Sequence, residues 1–291
     1  MQHTQYKIAV ITNGGKQTMD DLTATTHDHG VVFDKITHKT LSLTNLAESD
    51  FVKTLLQYDI VYYRTGLKGA ALSELAHILQ THNVPTINCF PNHQYIHEKS
   101  RQATLAGRFG IKHPETILGP TTYETIATTI GTPFVAKPIT GAQGTGVTLV
   151  SSQAELETVR TEQKHKPLIY QAYMEGAEEY RVYTLGNRGI TSYKKVPSEK
   201  DFRANLHVGG SMHPTEPERK AALLAFAAKV ATAFDVDISG VDVLLKDDEL
   251  YLLEINTQPG WENLDQVSQQ DLTTQTVQFI LDRAHAWHTK T

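Results

Sequence analysis

Gly240-Val241-Asp242-Val243-Leu244-Leu245-Lys246-Asp247-Asp248-Glu249-Leu250-Tyr251-Leu252-Leu253-Glu254-Ile255-Asn256 is two apolar, β-rich runs broken only by Lys246-Asp247-Asp248-Glu249, and it reads as a hairpin. If Lys246 pairs with Leu250 across a three-residue loop, the partner of Asp242 is Glu254, and directly opposed residues share a face. Asn256, two residues on, joins that face. A two-residue loop would pair Asp242 with Leu253 and send the two carboxylates to opposite faces. On one face, these residues present hard oxygen donors suited to Mg2+. Opposed carboxylates repel, so a positive group is expected between them. The alternative is a set of solvent-facing residues on an edge hairpin.

The chain has 291 residues, which predicts two or three packed units. A net charge of −5 with scattered basic residues gives no general attraction to nucleic acid or an anionic membrane. The only cysteine, Cys89, cannot form an intrachain disulfide, which suits a reducing compartment. The segment Met1-Gln2-His3-Thr4-Gln5-Tyr6-Lys7 lacks an apolar signal core, and no stretch reaches the ~20 apolar residues of a membrane span. A cytoplasmic protein is expected. The 14 histidines show no ligand spacing for zinc.

Upstream of the hairpin, residues 6–11, 40–43, 59–63 and 85–89 read as strands, with a helix over 67–82 between the last two. That alternation predicts a parallel sheet with crossover helices. Gly14-Gly15 follows the first strand, but no Gly-x-Gly-x-x-Gly opens a helix there, so the pair lacks the dinucleotide signature and reads equally as an ordinary turn. A helix over 97–109 stops at Gly110. Strands follow at 133–138, 147–150 and 168–173, with a helix over 153–164. A hairpin over 181–196 turns at Gly186-Asn187-Arg188-Gly189. Thr215-Glu216-Pro217-Glu218 reads as a capping box opening a helix over 217–234, and a terminal helix covers 271–287. The predicted units are 1–95, 96–175 and 176–291.

Between strands at 133–138 and 147–150 lies Ile139-Thr140-Gly141-Ala142-Gln143-Gly144-Thr145-Gly146. Glycines let backbone N–H groups approach a phosphate, and Lys137 enters this loop as a point charge. A P-loop would continue with Gly-Lys-Ser/Thr and a helix, so the segment is expected to be a hairpin lid. Tyr170-Gln171-Ala172-Tyr173-Met174 leads from a strand into an acidic loop, a place where backbone groups can meet an adenine edge. Arg203, in Asp201-Phe202-Arg203-Ala204-Asn205-Leu206, could neutralise a developing anion. Each feature taken singly also fits an ordinary turn, core strand or solvated charge.

Taken in order, Lys137-Pro138 with the glycine lid, Tyr170 to Met174, Glu179-Tyr180-Arg181, Phe202-Arg203-Ala204-Asn205-Leu206-x-x-Gly209-Gly210, Gly240-Val241-Asp242 and Glu254-Ile255-Asn256-Thr257-Gln258-Pro259-Gly260 resemble the ATP-grasp enzymes, in particular the RimK-like group of the ribosomal protein S6 glutamate ligase. The resemblance covers residues 97–264 or so. It implies α/β and α+β architecture: an ATP-grasp fold behind an N-terminal Rossmann-like, pre-ATP-grasp α/β domain. It implies ATP with Mg2+ or Mn2+ and an ADP-forming carboxylate–amine ligase working through an acyl phosphate on small-molecule acid and amine substrates, joining an amino acid to an amino acid, peptide or small acid. A homo-oligomer is also in keeping with it.

By position, the resemblance makes ATP-binding residues of Lys99, the family lysine ahead of the central subdomain, of Lys137 entering the lid with Gly141, Gly144 and Gly146, and of Gln171, Ala172, Tyr173 and Met174 at the adenine hinge. It assigns Glu179 to ribose, Arg203 and Asn205 to the phosphate side with Arg203 catalytic, and Asp242, Glu254 and Asn256 to the metal. Ala172 stands where the family usually has an acid, Glu98 where Asp is usual, and Gly260-Trp261-Glu262-Asn263 diverges beyond the metal positions. A small-molecule kinase and a non-catalytic ATP-binding module are the alternative functions on the same fold.

Overall fold

A computed structural model describes residues 6–12, 20, 22, 31–37, 44–64, 70–89, 96–141, 144–164, 166–199, 201–204, 209–261, 264, 267–268 and 270–289. The strands β1 (Lys7–Ile11), β2 (Val32–Ile36), β3 (Ile60–Tyr63) and β4 (Thr86–Ile87) form a parallel sheet in the order β2-β1-β3-β4. The expected alternation is there, carried by helices α1 (Asp50–Leu55) and α2 (Ala70–Thr81). Strand β2 escaped the sequence reading because Asp34 and Lys35 break its apolar run; it is an edge strand, and Asp34 accepts a hydrogen bond from Tyr58 Oη at 2.9 Å. The expected strand at 40–43 and the Gly14-Gly15 turn lie outside the described residues.

Helix α3 (Lys99–Arg108) leads into a second sheet of β5 (Thr116–Leu118), β6 (Phe134–Pro138), β7 (Thr148–Val150) and β8 (Leu168–Ala172), antiparallel in the order β5-β8-β6-β7. Helices α4 (Tyr123–Ile130) and α5 (Gln153–Glu162) cover it, each begun by a hydroxyl side chain accepting from the backbone, Thr122 and Ser152. This sheet has a core of its own: Ile126, Phe134, Ala136, Val150, Leu156, Val159 and Tyr170.

The third sheet holds β9 (Glu178–Leu185), β10 (Arg188–Val196), β11 (Ser211–Pro214), β12 (Ile238–Lys246) and β13 (Glu249–Asn256), in the order β11-β10-β9-β12-β13. Helices α6 (Pro217–Ala233) and α7 (Leu272–His288) complete it. Helix α6 starts where expected, but not by a capping box. Glu216 is its N-cap without a side-chain bond to the helix, and Thr215 pairs instead with Ser192 Oγ at 2.8 Å. The third sheet and the first share their cores, with Val61 and Leu75 in one cluster with Val241 and Leu252, and Ile8 and Val10 in another with Tyr183 and Trp261.

The hairpin of β12 and β13 corrects the expected loop. Lys246 pairs with Glu249, so the turn holds only Asp247 and Asp248, both at positive φ (51° and 59°). A two-residue turn alone would part the carboxylates. The register, however, shifts between Asp242 and Val243: Val243 faces Leu252, Asp242 faces Glu254, and Leu253 is the extra residue of a β-bulge. The bulge supplies the odd residue that the loop lacks, and Asp242 and Glu254 end opposite each other.

Candidate active site

Two adjacent registers on β9 and β12 gather the charged residues. Asp242 faces Arg181 on one side and Glu254 on the other, and Glu179 faces Lys195 on β10. The side chains at these positions point to one face because strand residues two apart share a side. Arg181 donates from Nε to Asp242 Oδ1 and from Nη2 to Oδ2, both at 2.6 Å, a bidentate pair. Lys195 Nζ lies 3.5 Å from Asp242 Oδ2 and is paired closely with Glu179. In place of one positive group between the opposed carboxylates, as expected, the structure gives each its own: Arg181 and Lys195 at Asp242, and Lys99, whose Nζ lies 3.5 Å from Glu254.

Lys99 also donates to Gly141 O at 3.0 Å, so one buried ammonium bridges the glycine loop and the carboxylate face. Opposite, Lys137 on β6 is buried and donates to Gln171 Oε1 at 2.7 Å, while Gln171 Nε2 donates to Thr116 Oγ1 at 3.0 Å. Burial holds the Lys137 amine down to about 8, with Glu254 opposing that shift and Lys99 adding to it. His113, 3.5 Å from Gln171, is pushed down to about 4, again chiefly by burial. At Asp242, burial raises the carboxyl, but Arg181 and Lys195 more than offset it and hold it below the usual range. At Glu179 burial prevails over Lys195, and the carboxyl sits above its ordinary value.

Of the residues anticipated for adenine, Gln171 and Ala172 lie at the end of β8; Tyr173 meets Phe202 edge to face, ring centres 6.0 Å apart; and Met174 O accepts from Ala177 N at 3.1 Å. Arg203 is forked onto Asp201 and donates from Nη1 to Gly144 O at 2.7 Å, tying it to the glycine loop. Gly146 has φ +74°, and a Cβ there would lie 3.0 Å from Pro138 and Gln163, so glycine suits this corner on two counts. Asn205 lies outside the described residues. Asn256 Oδ1 accepts from Gln258 N at 2.9 Å.

Sequence reasoning missed Lys195, His113 and Thr116. Lys195 meets Glu179 only because a second register shift, between Gly189 and Thr191, lies between the β9–β10 turn and the site. His113 and Thr116 are brought to Gln171 by β5, a three-residue strand too short to register as a pattern. For a divalent cation, Asp242, Glu254 and Asn256 offer hard oxygen donors from neighbouring strand positions, a set whose chemistry fits Mg2+ or Mn2+.

A sequence profile described as the RimK-like ATP-grasp domain matches residues 96–280. A protein of Parasynechococcus marenigrum named "Probable alpha-L-glutamate ligase" is 28% identical over 201 residues, which are 65% of this chain and 42% of that one. One of the same name from Mannheimia succiniciproducens is 28% identical over 236 residues, 78% of this chain and 77% of its own length. Among solved structures, a D-alanine–D-alanine ligase of Bacillus anthracis complexed with ATP superposes at a TM-score of 0.68 over 98% of this chain and 100% of that one, at 16% identity. That likeness establishes the ATP-grasp fold. Among the described residues, no helix is long and apolar enough to cross a membrane.

Proposed function

This chain belongs to the RimK-like ATP-grasp family, and from that membership we propose that it is an ATP-dependent, ADP-forming ligase joining a carboxylate to an amine. One observation carries the reading: cations and carboxylates, part of them buried, gather on one face of β9, β10, β12 and β13 and are bridged to a glycine loop by Lys99. Such a face offers cations for phosphate oxygens and carboxylates for a divalent cation. The amine is proposed to be an amino acid, and the relatives' name makes glutamate the first to try.

In this reading Lys99, Lys137 and the loop of Gly141, Gly144 and Gly146 hold the phosphates. The β8 end at Gln171, Ala172, Tyr173 and Met174 takes adenine, and Glu179 takes ribose. Asp242, Glu254 and Asn256 would hold Mg2+ or Mn2+, which when bound neutralises phosphate charge. The substrate carboxylate takes the terminal phosphoryl group of ATP, releasing ADP; the amine nitrogen then attacks the acyl carbon and phosphate leaves. Arg203 and Asn205 are assigned to the phosphate side, and Arg203 stabilises the charge that develops on the transferred group. The chain's contribution is positioning and charge, with no covalent enzyme intermediate.

ADP release across a panel of amino acids and carboxylates tests the proposal. Turnover that needs both an acid and an amine is expected. A stable phosphorylated acid without amine consumption would point to a kinase, and nucleotide binding with no ADP release to a regulatory module. Glu254→Ala should abolish turnover in a folded protein; retained ADP production would sink the cation assignment.

A further inference from the structure

Each carboxylate on the proposed cation face already carries a cation of the chain itself. Both oxygens of Asp242 lie in the Arg181 fork at 2.6 Å, with Lys195 beside Oδ2; Glu254 has Lys99 at 3.5 Å, and Glu179 has Lys195. The seat of Arg181 is built into the strand. A Cβ on Gly240 would already touch Arg181 Cδ and Pro259 Cβ at 3.4 Å, so a longer side chain would push against the stem that delivers the guanidinium. Glycine keeps that strip of β12 clear.

A guanidinium on a metal-binding carboxylate can act in two opposed ways. As an orienting partner it aids the metal, and losing it lowers metal affinity by about 10–100-fold. As a resident cation it repels the metal. For a unit and a double charge about 5 Å apart, that repulsion exceeds the 100-fold orienting gain even at an effective dielectric of about 20. Repulsion should win unless something negative draws the guanidinium away, and phosphate oxygens are bidentate acceptors that do so.

We propose that Arg181 is a resident counter-cation of Asp242 whose grip makes divalent-cation binding conditional on a bound polyphosphate. Phosphate oxygens compete for Arg181 and Lys99 and so release the carboxylate oxygens of Asp242 and Glu254. This rests on the cation-ligand assignment proposed above.

Water-proton relaxation enhancement by Mn2+, which reads metal tumbling with the protein and needs no turnover, tests it. Wild-type protein alone should show no enhancement at Mn2+ concentrations that saturate the same protein with a non-hydrolysable ATP analogue. Arg181→Gln alone should gain it, binding Mn2+ at least about tenfold more tightly than wild type alone. A folded R181Q protein without that gain overturns the proposal. So does wild type that binds Mn2+ equally well with and without the analogue. If R181Q fails to fold, Arg181→Met decides: it keeps much of the apolar stem and removes the charge, the same gain of at least about tenfold is expected, and no gain overturns the proposal. Failure of the underlying cation site looks different: no enhancement in wild type with the analogue, or enhancement that survives Asp242→Ala combined with Glu254→Ala.

Discussion

Lys137 is a proposed phosphate-binding residue whose charge burial brings within reach of moderate pH. Its amine is held at about 8 by burial, against 10.5 for the free side chain. Between those values the unfolded chain binds more protons, so the fold gains stability as pH rises from about 8 towards 10.5. Nucleotide binding should run the other way, since only the ammonium attracts phosphate. ATP affinity is expected to fall as pH rises past about 8, and Lys137→Arg, whose guanidinium does not titrate there, should flatten that dependence. Calorimetric titration of ATP from neutral to alkaline pH checks both; an equally steep loss in the arginine variant would move the titration to another group. The identity of these residues was legible in the sequence as a set of lysines, acids and an amide. Their partners were not, because Lys137–Gln171 and Arg181–Asp242 join residues far apart in the chain.

At the scale of the element, β13 is an edge strand whose outward backbone groups are taken up from outside the sheet. Gln102 on α3 donates to Ile255 O at 2.9 Å and accepts from Ile255 N at 3.0 Å, and Leu252 N donates to Lys112 O at 2.8 Å. These bonds bracket Leu253, the bulged residue, and hold it in place. Gln102→Ala leaves the buried groups of Ile255 without partners and is expected to destabilise the protein by about 2–3 kcal/mol. Urea unfolding measures that loss, and nucleotide affinity in the folded variant should fall with it, because the bulge sets which face Glu254 occupies. A variant as stable as wild type would show that the bulge holds itself.

In the whole molecule, the first and third sheets act as one body and the second packs on a core of its own. Asn88, just past β4 and at φ 56°, joins the first sheet to the third. Its Nδ2 donates to Ile238 O and Thr257 O at 2.7 and 2.8 Å, and its Oδ1 accepts from Asp237 N and Ile238 N at 3.1 and 3.0 Å. Thr257 directly follows Asn256, so the parallel sheet is fastened to the end of the proposed cation strand. Asn88→Ala is expected to cost about 3 kcal/mol or more by leaving those groups unpaired. Denaturant titration followed by intrinsic fluorescence reads the loss; a change below about 1 kcal/mol would mean that the shared core alone joins the sheets.

The sequence by itself determined the family and most of the elements. Apolar periodicity marks β1, β3, β6, β8, β12 and β13, and the order of lysine, glycine loop, arginine and carboxylates marks an ATP-grasp chain. Tertiary structure alone decided which side chains meet. Strand alternation has a period of two, so one bulged residue reverses a face. At Leu253 that bulge is held by Gln102 and Lys112, contacts that no local pattern records. The turn at Asp247-Asp248 was therefore the wrong place to look for the register of Asp242 and Glu254, although their pairing follows all the same.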